Sequence, residues 1–358
     1  MNLFYFFKKV KDPIHFGKGA EPTKSNPLKD YSHLEVAGAM QPAVWVEKDP
    51  ANFATYPIKN QQNTYSCVAQ SYAKELEIDE YSENGIYRIL SPHSIYPFGF
   101  VAPGGGMDNH AASSIVVNKG ATLEYLFPSE GLTEEQMRSA AGYGPDAQQV
   151  ALIYKPSAIM FLKPDIETIA SILYSFQQAG KKKGVGVVVT GYNNGTWLSA
   201  YPSPNVVGEP WSHKVVATDF GLINGKKYIS TNNSWGDAIG MGGKQFLGED
   251  YFNAGLVTDA DYPINLPDNW RDNATIPKPS YIWNTDLTIG STGQDVLMLQ
   301  RALQYLGMFP PDDNILQATG KFFGLTRAGV QEAQIKYGLP ATGVFGPQTR
   351  ALFNEMFK

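Results

Sequence analysis

The stretch that decides the fold is a polar segment that ends in a cysteine, Asn60-Gln61-Gln62-Asn63-Thr64-Tyr65-Ser66-Cys67. Directly after it, residues 71–77 are mostly good helix formers. The pattern predicts a loop that leads into a helix, with Cys67 in the first turn. A thiol in that place is a candidate nucleophile, because the helix dipole favours the thiolate.

Cys67 is the only cysteine among 358 residues. An intramolecular disulfide is therefore excluded, and we expect synthesis in a reducing cytoplasm. A single cysteine is more often a small buried apolar residue than a catalytic one. The interpretation of Cys67 as a nucleophile therefore depends on partners elsewhere in the chain.

The composition excludes several classes of protein. The formal net charge is −5 and the basic runs are short, so a nucleic-acid partner is not expected. At the N-terminus, an apolar run precedes Lys8 and Lys9, which is the reverse of the order in a secretory signal. We expect no signal peptide, and no apolar stretch reaches the roughly 18 residues of a membrane span.

Two β-rich runs follow His213, at residues 214–222 and 226–231. Asn224 and Gly225 separate them, and Asn-Gly between such runs predicts a hairpin. Residues 184–190 predict a further buried strand. His213 is thus expected where a strand begins, as a candidate base for Cys67.

Three motifs together resemble the papain-like cysteine peptidases. Gln61 stands six residues before Cys67, and the two other motifs are Ser212-His213-Lys214-Val215-Val216 and Asn232-Asn233-Ser234-Trp235-Gly236. The His spacing matches the roughly 130 to 150 residues beyond the nucleophile that this family shows, and the Asn spacing is slightly longer. The resemblance implies that His213 is base and acid, that Asn233 rather than Asn232 orients it, and that Gln61 and the Cys67 N–H bind the oxyanion.

The same resemblance predicts four substrate-binding residues, Gly105, Gly106, Lys214 and Trp235. The glycines look like the pair whose backbone binds an extended peptide, and Trp235 is expected to shield the His–Asn bond from water. Lys214 replaces a small residue beside the pocket, where its charge would suit an acidic group such as a γ-linked glutamate. A Lys214 that points to solvent is an equal alternative.

The C-terminal region has helical patterning and an internal repeat. Four apolar residues at helical spacing precede Gly307, namely Val296, Leu299, Leu303 and Leu306. Gly324-Leu325-Thr326 and Gly346-Pro347-Gln348-Thr349 each predict a glycine turn and a capping threonine before a helix. With Thr342-Gly343-Val344-Phe345 and the segment around Gly290, these pieces resemble the peptidoglycan-binding module found beside many cell-wall hydrolases.

We therefore predict an α+β chain: a papain-like two-lobed fold, with a helical lobe and an antiparallel β lobe, followed by a small three-helix peptidoglycan-binding domain. The predicted boundaries are an N-terminal arm at 1–41, the peptidase domain at 42–263, a Pro-rich linker at 264–284 and the binding domain at 285–358. The remaining histidines lack metal-ligand spacing. No metal and no cofactor are predicted.

The leading hypothesis is a hydrolase, a cysteine peptidase that cleaves stem peptides or wall proteins at the bacterial cell wall. A bacteriophage endolysin or a virion-associated lysin, with other virion proteins as partners, is one setting for it. The alternative is a phage structural protein whose papain-like domain binds peptides without cleaving them. A processing protease for the organism's own structural proteins ranks last, because it leaves the wall-binding module unused.

Overall fold

The computed structural model describes residue 20 and residues 40–193, 196–264, 276–309 and 317–358. Most of the predicted arm and residues 265–275 of the predicted linker lie outside this part. None of the described helices is both long and apolar enough to cross a membrane.

One six-stranded sheet forms the β lobe, and its order is β1-β6-β2-β3-β4-β5. Every pair of neighbouring strands is antiparallel. The strands are β1 Ala158–Leu162, β2 Val185–Tyr192, β3 Pro210–Ile223, β4 Lys226–Asn232, β5 Lys244–Gly248 and β6 Val257–Ile264. The predicted strand at 184–190 is confirmed as β2, which lies in the middle of the sheet because β3 and β6 flank it.

The hairpin between β3 and β4 turns at Asn224 and Gly225. Both residues have positive φ, 52° and 74°. Two consecutive positive φ values are what a type I′ turn requires, and Asn-Gly adopts them at low cost. The predicted hairpin is confirmed, and it places the two halves of the candidate site on adjacent strands.

Within the described residues, six helices accompany the sheet, and the first is the longest. They are α1 Cys67–Asn84, α2 Asn109–Lys119, α3 Glu134–Met137, α4 Pro145–Ala151, α5 Ile166–Gln178 and α6 Glu249–Asn253. Apolar residues of α1 and α2 build the core of the helical lobe. The amphipathic α5 packs with strand residues in the core of the β lobe. The predicted helical lobe and antiparallel β lobe are both confirmed.

The C-terminal region contains α7 Gln294–Tyr305, α8 Gly324–Lys336 and α9 Pro347–Phe357. Val296, Leu299 and Leu303 are fully buried, as their helical spacing predicts. Gly307, with φ of 70°, follows the end of α7. This region is the three-helix unit that the sequence indicates.

A buried glutamine makes equivalent hydrogen bonds in each copy of the internal repeat. Gln300 accepts from the Gly320 N–H and donates to Thr326 Oγ1, at 2.8 and 3.0 Å. Gln334 makes the equivalent bonds to Gly343 and Thr349, at 2.9 and 2.8 Å. Each helix thereby fixes the loop and the first turn of the helix that follows.

The repeat is therefore confirmed, but the predicted capping role of its threonines is wrong. The N-cap positions of α8 and α9 are Phe323 and Gly346. Thr326 and Thr349 lie inside the first turn, where their hydroxyls bind the glutamines instead of the helix N–H groups.

Trp283 falls in the predicted linker but belongs physically to the C-terminal unit. Its side chain is buried, and its ring lies 5.5 Å from Phe345 and 6.0 Å from Phe353 between centroids. The Trp283 indole N–H donates to the Asp295 carbonyl at 2.8 Å. We therefore propose that the module begins before residue 283.

Candidate active site

Cys67 is the first residue of α1, as the sequence predicts. Its side chain is fully buried, and the backbone N–H groups of Lys214 and Val68 favour its thiolate. Burial is the larger effect and raises the pKa of Cys67 to about 12. The resting thiol is therefore protonated at neutral pH, and a base is needed to activate it.

His213 is the predicted candidate for that base. It is fully buried on β3, and its Nε2 lies 2.9 Å from Asn233 Oδ1. An Nε2–H donor to Asn233 leaves Nδ1 as the acceptor nitrogen, and Nδ1 has no hydrogen-bond partner among the described residues. Burial lowers the pKa of His213 to about 4. The imidazole is therefore neutral, and able to accept a proton, across the neutral range.

Both the oxygen and the nitrogen of the Asn233 side-chain amide make further hydrogen bonds. Oδ1 also accepts from the Ser234 backbone N–H at 2.7 Å, and Nδ2 donates to Gln245 Oε1. Gln245 in turn donates to the carbonyl of Trp197. The orientation of the Asn233 amide, and with it the tautomer of His213, is therefore fixed.

Sequence reasoning missed Gln245. It lies on β5, where all five residues are buried, and its own side chain is fully buried. A buried polar side chain must find a partner, so a glutamine within a buried strand is a usable signal. That signal is only readable once β5 is known to be buried on both faces.

Aromatic rings surround His213. Trp235 stacks on the imidazole with 4.3 Å between ring centroids, and it is 7% exposed. Trp211 and Trp197 approach His213 at 6.3 and 6.4 Å. Trp235 therefore covers the imidazole that bonds Asn233, the shielding position that the resemblance implies.

Gln61, the predicted oxyanion donor, is hydrogen-bonded at both ends of its side-chain amide. Its Nε2 donates to the Thr64 carbonyl at 2.7 Å, and its Oε1 accepts from Ser234 Oγ at 2.6 Å. Since an amide nitrogen carries two hydrogens, one N–H is left beyond the bond to Thr64. The Cys67 N–H, at the helix start, also has no intrahelical partner. These are the two donors that the sequence assigned to an oxyanion.

The prediction for Gly105 and Gly106 needs correction. Both are buried and have positive φ, 88° and 85°. The Gly106 N–H donates to the Tyr96 hydroxyl at 2.8 Å, and its carbonyl accepts from the Val101 N–H at 2.9 Å. The N–H and the carbonyl of Gly106 are thus both hydrogen-bonded within the chain. A substrate could pair with it only by displacing Tyr96.

Both predicted orientations of Lys214 are wrong. Its side chain is fully buried, so it does not point to solvent. Nor does its charge face a pocket, because Nζ lies 2.9 Å from Asp261 Oδ1 and 3.1 Å from Glu75 Oε1. Successive residues of a strand point to opposite faces, so Lys214 faces away from the side that His213 occupies. Nothing remains to attract an acidic substrate to this lysine.

Ala20 is the one described residue of the predicted arm before residue 40. Its N–H donates to the Ser212 carbonyl at 3.5 Å, and it forms a parallel bridge with Met107. Ser212 precedes His213, and Met107 follows Gly106. Ala20 therefore lies between the His-bearing strand and the glycine turn.

The pair of adjacent asparagines supplies a matched test of the site. We expect Asn233→Ala to lower kcat by roughly 100-fold, because a misoriented base costs about this much. Asn232→Ala is the control, since Asn232 is equally buried but its side chain has no hydrogen-bond partner within the described part of the chain. Steady-state kinetics of both variants check this. Equal losses in the two would contradict the assignment of Asn233.

Comparison with known proteins agrees with this fold. Over 70% of this chain, the fold superimposes on 96% of xylellain, a cysteine protease from Xylella fastidiosa, with a TM-score of 0.53 and 15% identity. In sequence, the chain is 28% identical to mouse (Mus musculus) cathepsin K over 222 residues, which are 58% of this chain and 60% of cathepsin K. The chain therefore has the papain-like cysteine protease fold.

Two comparisons concern the cell wall. Residues 292–353 match the model of a family described as "Putative peptidoglycan binding domain". A stretch of 78 residues is 37% identical to the zinc D-Ala-D-Ala carboxypeptidase of Streptomyces albus G, covering 22% of this chain and 28% of that enzyme. The chain thus spans less than two thirds of either curated relative, and its C-terminal helices form the peptidoglycan-binding module that the sequence resembles.

Proposed function

We propose that this chain is a papain-type cysteine peptidase that acts at the bacterial cell wall. The observation that carries the proposal is the state of His213. Asn233 binds its Nε2, its Nδ1 is an open acceptor, and the backbone N–H of the next residue, Lys214, favours the Cys67 thiolate. Nucleophile, base and orienting amide are thereby joined in one small region.

In the proposed reaction, His213 Nδ1 accepts the thiol proton as Cys67 Sγ bonds to the substrate carbonyl carbon. The Gln61 Nε2–H and the Cys67 N–H stabilise the oxyanion. His213 then protonates the departing amine, which leaves a thioester on Cys67. Water, deprotonated by His213, hydrolyses that thioester and restores the thiol.

The C-terminal module supports the choice of substrate. A match to a peptidoglycan-binding family beside a papain-like fold favours a peptidase held on the wall. We propose that it cuts peptide bonds in stem peptides or in wall-attached proteins. The burial and pairing of Lys214 remove the earlier basis for a preference for acidic groups.

Removal of the module should separate binding from chemistry. We expect deletion of residues 276–358 to lower the rate on insoluble cell walls by about tenfold or more, because tethering raises the local substrate concentration. Cleavage of a soluble protein substrate should stay within about twofold, and it also reports that the peptidase region remains folded. Equal rates of wall digestion with and without the module would contradict the targeting role.

We further propose a phage setting, as an endolysin or a virion-associated lysin. A lone cysteine suits synthesis in a reducing cytoplasm, and the wall-binding module suits attack on peptidoglycan after release. Mass spectrometry of purified virions tests the virion version. Absence of the protein from intact particles would leave only the freely released enzyme.

A further inference from the structure

Lys214 lies in a fully buried ionic cluster behind the nucleophile. Its ammonium contacts the carboxylates of Glu75 and Asp261, at 3.1 and 2.9 Å, and lies 3.4 Å from the Tyr72 ring centroid. Lys214, Glu75, Asp261 and Tyr72 are each 0% exposed. Asn109 Nδ2 supports Asp261 from a second helix, at 2.7 Å. A charge at this depth is retained only with partners.

The same lysine is contacted by three residues of α1 that lie on one face. Cys67, Ser71 and Glu75 are spaced four residues apart, so they follow one another along the helix surface. The Lys214 N–H favours the Cys67 thiolate, Ser71 Oγ donates to the Lys214 carbonyl at 2.9 Å, and Glu75 binds the ammonium. The nucleophile's helix therefore binds the C=O and the side chain of Lys214, and its first residue senses the Lys214 N–H.

Gly186 on β2 has no side chain, and this leaves room for the ionic cluster. A Cβ at Gly186 would lie 2.3 Å from Lys214 Cε and 2.5 Å from Glu75 Oε1. A glycine inside a central strand marks such a close approach. Although burial opposes its charge, Asp261 and Glu75 raise the pKa of Lys214, so the ammonium keeps its charge. Burial in turn raises the pKa of the Glu75 and Asp261 carboxyls, which shows how closely the three groups depend on one another.

We propose that Lys214 is a positioning residue, which fixes α1 against β3 and so holds the Cys67 thiol within reach of its neighbour His213. The inference rests on the proposed peptidase function. Because a peptide bond joins Lys214 to His213, a shift of Lys214 shifts the base relative to the nucleophile. Lys214 touches neither substrate nor reacting carbonyl, and it acts through Cys67 and His213 alone.

A second buried ion pair on the same helix provides the control. Lys183 binds Asp79 at 2.6 Å, and both side chains are about as buried as those around Lys214. Asp79 continues the four-residue spacing of Cys67, Ser71 and Glu75, but it lies nearer the far end of α1. Lys183→Met therefore removes a buried charge that pairs with the same helix, without touching the nucleophile.

The experiment compares Lys214→Met with Lys183→Met in the full chain. The readouts are kcat, KM and the rate at which iodoacetamide alkylates Cys67 between pH 5 and 9. Circular dichroism gives the folded fraction of each variant, and the rates are divided by that fraction. Cys67 is the only cysteine, so every alkylation event reports on it. We expect Lys214→Met to lower both kcat and the alkylation rate at pH 7 by roughly tenfold or more with KM within about twofold, whereas Lys183→Met lowers only the melting temperature.

If Lys214→Met does not fold, Ser71→Ala combined with Glu75→Gln tests the same contacts while Asp261 still pairs with Lys214. We expect a loss of about threefold or more in kcat and in alkylation rate. Unchanged rates in either folded variant would overturn the proposal. The alkylation assay needs no substrate. If the wild-type chain cleaves no substrate, the proposed function is wrong. The alkylation assay still tests the role of Lys214 in that case.

Discussion

Replacement of Cys67 by alanine is expected to reduce hydrolysis of cell walls and protein substrates by at least about 10³-fold. The reason is chemical, because without the thiol no acyl-enzyme forms and only the oxyanion donors and substrate binding remain. The measurement is the release of new amino groups from purified cell walls by the full chain. Cys67 packs in the core of the helical lobe, but alanine is small and leaves its neighbours in place.

The variant should still bind peptidoglycan, since the C-terminal module does not include Cys67. Sedimentation with insoluble peptidoglycan therefore serves as the control for folding and targeting. Retention of full hydrolysis by Cys67→Ala would remove Cys67 from the mechanism. Loss of binding together with hydrolysis would contradict the separation of chemistry from attachment.

Replacement of His213 by alanine is expected to lower kcat by about 10²- to 10⁴-fold, the usual contribution of a positioned base. The pH dependence carries the sharper test. In the wild type, His213 is neutral above its pKa of about 4, so activity should persist from neutral pH to about pH 5 and fall below pH 4. In His213→Ala, deprotonation depends on Cys67 alone, whose pKa is raised to about 12 by burial.

Alkylation of Cys67 in the His213→Ala variant should therefore rise about tenfold per pH unit between pH 6 and 9. Wild-type alkylation should vary much less over that range. A wild-type profile as steep as that of the variant would show that His213 does not accept the thiol proton. It would also favour the alternative of a binding protein with an inert thiol.

The sequence correctly predicted the structural features that depend on short motifs. The helix start at Cys67 and the hairpin at Asn224 and Gly225 follow from local signals that the structure reproduces. The bond between His213 and Asn233 is present as well, but it was implied by the family resemblance and not by a local signal. Turn chemistry and helix starts are set within a few residues, which is why these predictions succeed.

What the sequence could not predict depends on contacts distant in the chain. The sequence of residues 71–77 predicts a helix, but it does not indicate that Lys74, Glu75 and Glu77 are all buried. Their counter-charges include Lys59 and Lys214, which lie outside the helix, so no local pattern reveals the pairing.

The electrostatic state of the nucleophile is the second such case. The helix start at Cys67 is correct, but the prediction of a thiolate considered the helix dipole and a nearby imidazole and not the cost of burial. Complete burial penalises the anion more strongly than the helix N-terminus and the Lys214 N–H stabilise it. The depth of a side chain follows from the packing of both lobes, and a motif does not contain that information.

Mass spectrometric mapping of digested cell walls, prepared with their attached proteins, tests the central claim most directly. The full chain should generate new amino and carboxyl termini within stem peptides or wall proteins, leave the glycan strands intact, and lose this activity in Cys67→Ala. Digests in which no new peptide terminus depends on Cys67 would contradict the account.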